Sequence, residues 1–263
     1  MPVTVEVPES VDEVVGALGD GAIVLAGGTH VMPRVNTEAL HDTAALVSLR
    51  RAGLSGVEVE DGRATIGAAT TLARLGADER LAFLAPVVES IASPTIRNLA
   101  TVGGNLFVEQ PYGDLAVALL ALDATVEVTG RNGAESRPVA DVLERGVAAG
   151  EVVTAVRFAL PPDGAWRYLK AMRRRLNSAS IVTVAVDLSG PRIALGGAGR
   201  KPVRAPSAEA VLAGGPLDRD RATAAGAAAV GDAEPFTDAY ASAWYRARVL
   251  PVHVRRALLG ETA

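Results

Sequence analysis

The sequence contains no cysteine. That absence excludes disulfides, a cysteinyl nucleophile, thiolate-bound zinc and protein-held iron–sulfur clusters within this chain. Histidine is nearly as scarce. His30, His41 and His253 show no metal-ligand spacing, and nothing in the sequence organises carboxylates to replace them. No Gly-x-Ser-x-Gly elbow marks a hydrolase nucleophile. Long apolar runs are missing too: residues 115–122 are apolar, but Asp123 stops them far short of the roughly 20 residues a membrane span needs. Nor is there an excess of positive charge. With 26 Lys+Arg against 30 Asp+Glu the chain carries a formal −4, which argues against bulk binding of nucleic acid. The opening Met1-Pro2-Val3-Thr4-Val5-Glu6 lacks the basic and apolar regions of a signal peptide, so the chain reads as soluble and cytoplasmic.

What is present is ordinary globular composition, 49% hydrophobic and 21% charged over 263 residues, long enough for two domains. Ser10-Val11-Asp12-Glu13 is a capping box, followed by Val11, Val14, Val15 and Leu18 at helical spacing. Residues 22–26 then read as a buried-type strand, 32–35 as a short helix and 45–49 as the next strand. A hairpin around Asp61-Gly62 follows, then helical patterns near Leu72 and Leu84, with Pro86 breaking or restarting the second. Residues 94–113, rich in Gly, Pro, Asn and Thr, predict no regular element. A buried helix over 115–122 and strands over 125–128 and 151–160 complete a first domain, 1–162, which Pro161-Pro162-Asp163-Gly164 closes. The second, 163–263, reads as strands over 166–172, 181–188 and 192–195, then Ala-rich helices, the last interrupted by Pro251.

Two nucleotide signatures are absent. Gly196-Gly197-Ala198-Gly199-Arg200-Lys201 glances toward a phosphate loop, but Pro202 stands where Ser or Thr is needed, so the segment reads as a strand end and turn. Gly16, Gly19 and Gly21 precede a strand rather than follow it, unlike a Rossmann fingerprint. Two other segments stand out. Ala26-Gly27-Gly28-Thr29-His30 directly follows a strand, where missing Cβ atoms let backbone N–H groups approach an anion and Thr29 adds a hydroxyl. Thr101-Val102-Gly103-Gly104-Asn105 is a second paired-glycine loop. Two such loops are suited to a pyrophosphate; each taken singly is also an ordinary tight turn.

These two segments resemble the flavin-binding signatures of the FAD-binding medium subunits of the molybdenum hydroxylases. That family includes the FAD subunits of carbon monoxide dehydrogenases and the FAD domain of xanthine dehydrogenases. The similarity extends through Arg97-Asn98, Gln110-Pro111-Tyr112-Gly113-Asp114-Leu115, Lys170-Ala171-Met172-Arg173-Arg174-Arg175, Ile193-Ala194-Leu195-Gly196-Gly197 and Ala241-Ser242-Ala243-Trp244-Tyr245-Arg246, nearly the whole chain. It implies an α+β fold: a two-subdomain FAD-binding domain of the vanillyl-alcohol-oxidase (PCMH) type, then a small α+β C-terminal domain like that of the carbon monoxide dehydrogenase flavoprotein.

The resemblance also implies which residues meet FAD: Val24, Leu25, Ala26, Gly27, Gly28, Thr29, His30 and Val31 from the first loop, and Thr101, Val102, Gly103, Gly104 and Asn105 from the second. Asp114 aligns with an aspartate on the cofactor, although it is equally an N-cap for the helix behind it. Lys170 aligns with a lysine beside the cofactor, and Ile91 and Val153 with apolar contacts. His30 reads as a loop donor rather than a covalent tether, so the FAD is expected to be non-covalent. The function implied is an electron-transfer oxidoreductase subunit without a catalytic residue or metal of its own. Its partners would be a [2Fe–2S] small subunit and a molybdopterin large subunit, and FAD would pass their electrons to an external acceptor. The alternative is a stand-alone FAD-dependent oxidase of the vanillyl-alcohol-oxidase type; a scaffold that has lost FAD is a further one. Arg173-Arg174-Arg175 and Trp244-Tyr245 are candidates to dock the iron–sulfur chain. The aromatic pair reads equally as core packing of the last helix.

Overall fold

The computed structural model describes residues 4–37, 45–174 and 177–261, so His41 and Arg175 lie outside the described residues. In chain order the elements are β1 (Thr4–Glu6), α1 (Val11–Ala17), β2 (Ile23–Leu25), α2 (Val31–Asn36), β3 (Ala45–Ser48), β4 (Val57–Glu60), β5 (Arg63–Gly67) and α3 (Leu72–Gly76). Then come α4 (Ala85–Glu89), α5 (Pro94–Arg97), α6 (Val102–Leu106), α7 (Asp114–Ala121), β6 (Thr125–Gly130), β7 (Gly133–Pro138), α8 (Val139–Arg145) and β8 (Val152–Ala159). The C-terminal third holds β9 (Trp166–Met172), β10 (Ser180–Asp187), β11 (Arg192–Gly196), β12 (Val203–Arg204), α9 (Pro206–Ala213), α10 (Arg219–Ala228) and α11 (Ala243–Leu259). The architecture is α+β. No helix among the described residues is long and apolar enough to cross a membrane.

Contacts divide the chain into two compact units. One joins residues 1–82, 94–108 and 125–158; the other joins 83–93, 109–124 and 159–263. The sequence places a single boundary after residue 162. The contacts put the last cut at Phe158 and also assign two earlier segments to the second unit. A linear reading sees composition changes along the chain and has no access to which earlier helix a later sheet recruits.

The first unit contains a three-stranded parallel sheet, ordered β1-β3-β2, and a five-stranded sheet, ordered β4-β5-β8-β6-β7. In the parallel sheet β3 is central and fully buried, whereas β2 is an edge and half-buried. Val14, Val15 and Leu18 of the α1 segment pack with Val47, Leu49 and Val152. The Ser10 half of the capping box forms as read, Ser10 Oγ accepting from Glu13 N at 3.2 Å, but the Glu13 carboxylate accepts from Glu9 N at 2.8 Å, one residue before the N-cap amide that the full box would use. Asp61 and Gly62 both adopt positive φ, as the hairpin turn between β4 and β5 requires.

In the second unit an antiparallel sheet, ordered β12-β11-β10-β9, carries a fully buried central strand β10. Helix α7, buried along its whole length, packs against β10 and β11, and α11 against β9 and β10. A helix buried all round needs no polar face, which is why α7 reads as a continuous apolar run. Close contact is enforced at Gly196, where a Cβ would stand 2.7 Å from Val117 Cγ2.

Two sequence expectations are corrected, and two elements had none. Residues 94–113 do contain regular structure, the short helices α5 and α6. Gly103 and Gly104 disguise the second by their low helix propensity, which tertiary hydrogen bonds override here. Pro251 does not interrupt α11, which runs unbroken from Ala243 to Leu259. The missing N–H removes one hydrogen bond to Ala247, but Leu250, Val254, Ala257 and Leu258 bury their side chains on the same helix and hold its course. Finally, β7 and α8 carry no sequence prediction at all. Strand β7 is nearly all exposed, so alternation never marks it.

Candidate functional site

The first paired-glycine loop leaves the C-terminal end of parallel strand β2 and turns into α2, the end of such a strand being where α/β proteins place ligands. Gly28 sits at φ +71°, in the left-handed region. Gly27 is forced by its neighbour: a Cβ there would lie 1.9 Å from the Leu99 carbonyl oxygen and 2.6 Å from its carbon. The first loop therefore lies directly on the chain entering the second. Contact continues at Gly104, whose Cβ would reach Ala26 Cβ at 3.9 Å. The structure brings the two signatures together within one unit.

Their hydrogen-bond states differ. In the second loop the Val102 N–H donates to Thr70 O at 2.9 Å, Gly103 N–H to Ala68 O at 2.8 Å, Gly104 N–H to Thr101 Oγ1 at 3.1 Å and Asn105 N–H to Thr101 O at 3.0 Å. Gly103 is glycine because Ala68 would meet a Cβ at 2.8 Å. These donors are engaged in the fold, which revises the symmetric picture of two loops offering backbone N–H groups. What this loop still offers is the Thr101 hydroxyl proton, since Oγ1 serves Gly104 as acceptor only. In the first loop, by contrast, the N–H groups of Gly27, Gly28 and Thr29 have no acceptor among the described residues. Three consecutive open donors with no Cβ on two of them form a cradle fitted to phosphate oxygens. Around them Val24, Leu25, Ala26 and Val31 are half-buried and His30 is exposed.

Val153 lies in β8 of the same unit, opposite Val128 of β6 and buried. Asp114, Lys170 and Ile91 belong to the second unit. There Asp114 and Lys170 meet each other: Lys170 Nζ lies 2.8 Å from Asp114 Oδ2, with side chains only 3% and 4% exposed. Lys170 also donates to Ser90 O at 2.8 Å, next to Ile91. Asp114 Oδ1 accepts from Ser180 Oγ at 2.8 Å and Thr183 Oγ1 at 2.6 Å. Asp114 is the first residue of α7, behind Gly113, so it does not act as the N-cap.

Ser180 and Thr183 escaped the sequence reading. Three residues apart, they would face opposite sides of a regular strand. The irregularity between Ser180 and Val182 turns both toward Asp114, and Thr183 stands directly opposite Lys170 in the β9–β10 register. Their one sequence signal is two hydroxyls in a strand that is otherwise apolar up to its last residue, Asp187. Tyr168, two residues before Lys170, was also missed. Its hydroxyl lies 2.8 Å from Ser90 Oγ, and burial, reinforced by the Asp114 charge, raises its pKa well above the usual phenol value. Gln110 is another: buried, it accepts from Gly197 N at 2.7 Å and donates to Tyr112 O at 2.8 Å. Among the described residues no group of His, Asp or Glu could hold a metal.

Comparison with known proteins gives a consistent result. Residues 1–161 match the family described as FAD binding domain in molybdopterin dehydrogenase, and residues 167–260 the CO dehydrogenase flavoprotein C-terminal domain. The chain is 32% identical to the carbon monoxide dehydrogenase medium chain of Afipia carboxidovorans, over 95% of this chain and 93% of that one. It is 28% identical to the xanthine dehydrogenase FAD-binding subunit of Escherichia coli O157:H7, over 90% and 87%. Among solved structures it superposes on a chain of carbon monoxide dehydrogenase from Hydrogenophaga pseudoflava with a TM-score of 0.90 and 28% identity, covering 98% of this chain and 96% of that one.

Proposed function

Because this chain belongs to the family of FAD-binding medium subunits of the molybdenum hydroxylases, we propose that it is the flavin subunit of such a complex, receiving electrons from the [2Fe–2S] clusters of a small partner chain. In this reading substrate is oxidised at a molybdopterin centre on a large chain, and FAD on this one hands electrons to an external acceptor. The observation that carries it is the run of open N–H donors at Gly27, Gly28 and Thr29, seated against the second glycine loop. The absence of cysteine fits the same division of labour, since clusters must then reside elsewhere.

The residues present fit FAD. Gly27, Gly28 and Thr29 would take the phosphate oxygens by backbone N–H, and Thr101 would add its hydroxyl. Loop one thus orients the dinucleotide and loop two braces it. A dianion held by neutral donors requires no lysine or arginine in the cradle. When bound, FAD supplies one- and two-electron redox chemistry, so the chain needs no acid, base or nucleophile of its own. In this reading the FAD is held non-covalently, and His30 stands exposed beside the cradle.

The test is reconstitution. The purified chain should carry FAD that acid precipitation releases into the supernatant. Flavin reduction by a substrate of the complex should require the small chain. Substrate-driven reduction by the isolated chain would replace this reading with the stand-alone oxidase.

A further inference from the structure

Helix α11 turns an unusual face outward. Trp244 is 69% exposed and Tyr245 44%, contrary to core packing of this pair. One turn on, the Arg248 guanidinium lies 5.6 Å from the centre of the Trp244 ring, so aromatic and cation form one stacked surface. The surface continues through the segment before the helix. Tyr240 meets Tyr112 edge to face, hydroxyls 2.7 Å apart, and the preceding carbonyl, that of Ala239, accepts from Arg173 Nη1 at 3.2 Å. That bond ties the Arg173 head to the segment that leads into α11. Neither Arg173 nor Arg248 has a carboxylate partner among the described residues, in a chain whose acids outnumber its bases.

We propose that this patch, Trp244, Tyr245, Arg248 and Arg173, is the surface on which the iron–sulfur chain docks, through a facing cluster of carboxylates. The inference rests on the subunit reading above and names its contact. Exposed Trp, Tyr and Arg with unpaired charge is the composition of an interface centre. A second copy of this chain is the wrong occupant. A two-fold contact would set the same arginines against each other without a neutralising acid. Arg246 differs in kind: fully buried, it binds Asp238 at 2.7 Å and three backbone carbonyls, and serves the fold beneath the patch.

The experiment measures binding of the FAD-loaded chain to a small chain carrying two [2Fe–2S] clusters from a complex of this family, by titration calorimetry at two salt concentrations. Trp244→Ala should raise Kd about thirtyfold, the effect of losing an interface anchor. Arg248→Glu should raise it at least as far and weaken the salt dependence. Both variants should keep wild-type FAD content and unfolding midpoint, because both side chains are exposed. Wild-type affinity in both variants would overturn the patch while leaving the subunit reading intact. A wild-type chain that binds no small chain would overturn the subunit reading, and this proposal with it. A homodimer that the variants dissociate would assign the patch to a second copy and refute the proposal.

Discussion

Asp114 and Lys170 allow a sharp separation between a role in the fold and a role on the cofactor. The resemblance puts both on FAD; in the structure the charged atoms face each other, 2.8 Å apart and almost fully buried. Removing one member of such a pair leaves an uncompensated charge, at a cost of about 3–5 kcal/mol. Asp114→Asn should reach that range, because the buried Lys170 ammonium then loses its carboxylate and keeps only neutral oxygen acceptors, the Ser90 carbonyl among them. Lys170→Met should fall at its lower end, since Ser180 and Thr183 still donate to the carboxylate. The double variant should lose less than the sum of the two, by roughly 2 kcal/mol of coupling. Urea unfolding followed by tryptophan fluorescence reads the right region, because Trp166 and Trp244 both belong to the second unit. Strict additivity would refute the reasoning. So would a Lys170→Met chain with an unshifted midpoint that has lost its FAD, which would return the lysine to the cofactor.

Two further outcomes follow from the packing of α10 and α11. Gly226→Ala, which in an exposed helix would stabilise by about 1 kcal/mol, should here destabilise by about 1–3 kcal/mol, because the new Cβ would lie 2.4 Å from the Pro251 carbonyl oxygen; a raised urea midpoint would contradict this. His253 has its pKa lowered by burial. Between the folded value and the unfolded one, near 6.5, the unfolded chain binds more protons, so stability should fall as pH drops from about 7 through 6. His253→Gln should flatten that slope, as urea midpoints over this range would register.

What the sequence made legible was local. The Ser10 helix cap and the Asp61-Gly62 turn are determined by residues within a few positions of each other, and both form as read. The two glycine loops were equally visible as segments. What was not visible is why their glycines are there: Gly27 yields to the Leu99 backbone and Gly103 to Ala68, contacts made across tens of residues. The same holds for hydrogen-bond state. Identical-looking loops differ because Thr70 and Ala68 happen to present carbonyls to the second one. Ser180 and Thr183 became partners of Asp114 through an irregularity in β10 that no hydropathy pattern announces. Trp244 stayed ambiguous because an aromatic at a helix start fits a core and an interface equally well, and exposure alone decides between them.

The central claim is that the first loop, through its open N–H groups, holds the FAD phosphates. Residue-resolved amide hydrogen exchange on the apo and FAD-loaded chain tests it directly. FAD should slow exchange strongly at Gly27, Gly28 and Thr29, and change little at Val102, Gly103 and Gly104, whose N–H groups are already bonded within the fold. Unchanged exchange at Gly27, Gly28 and Thr29 in a chain saturated with FAD would contradict the account.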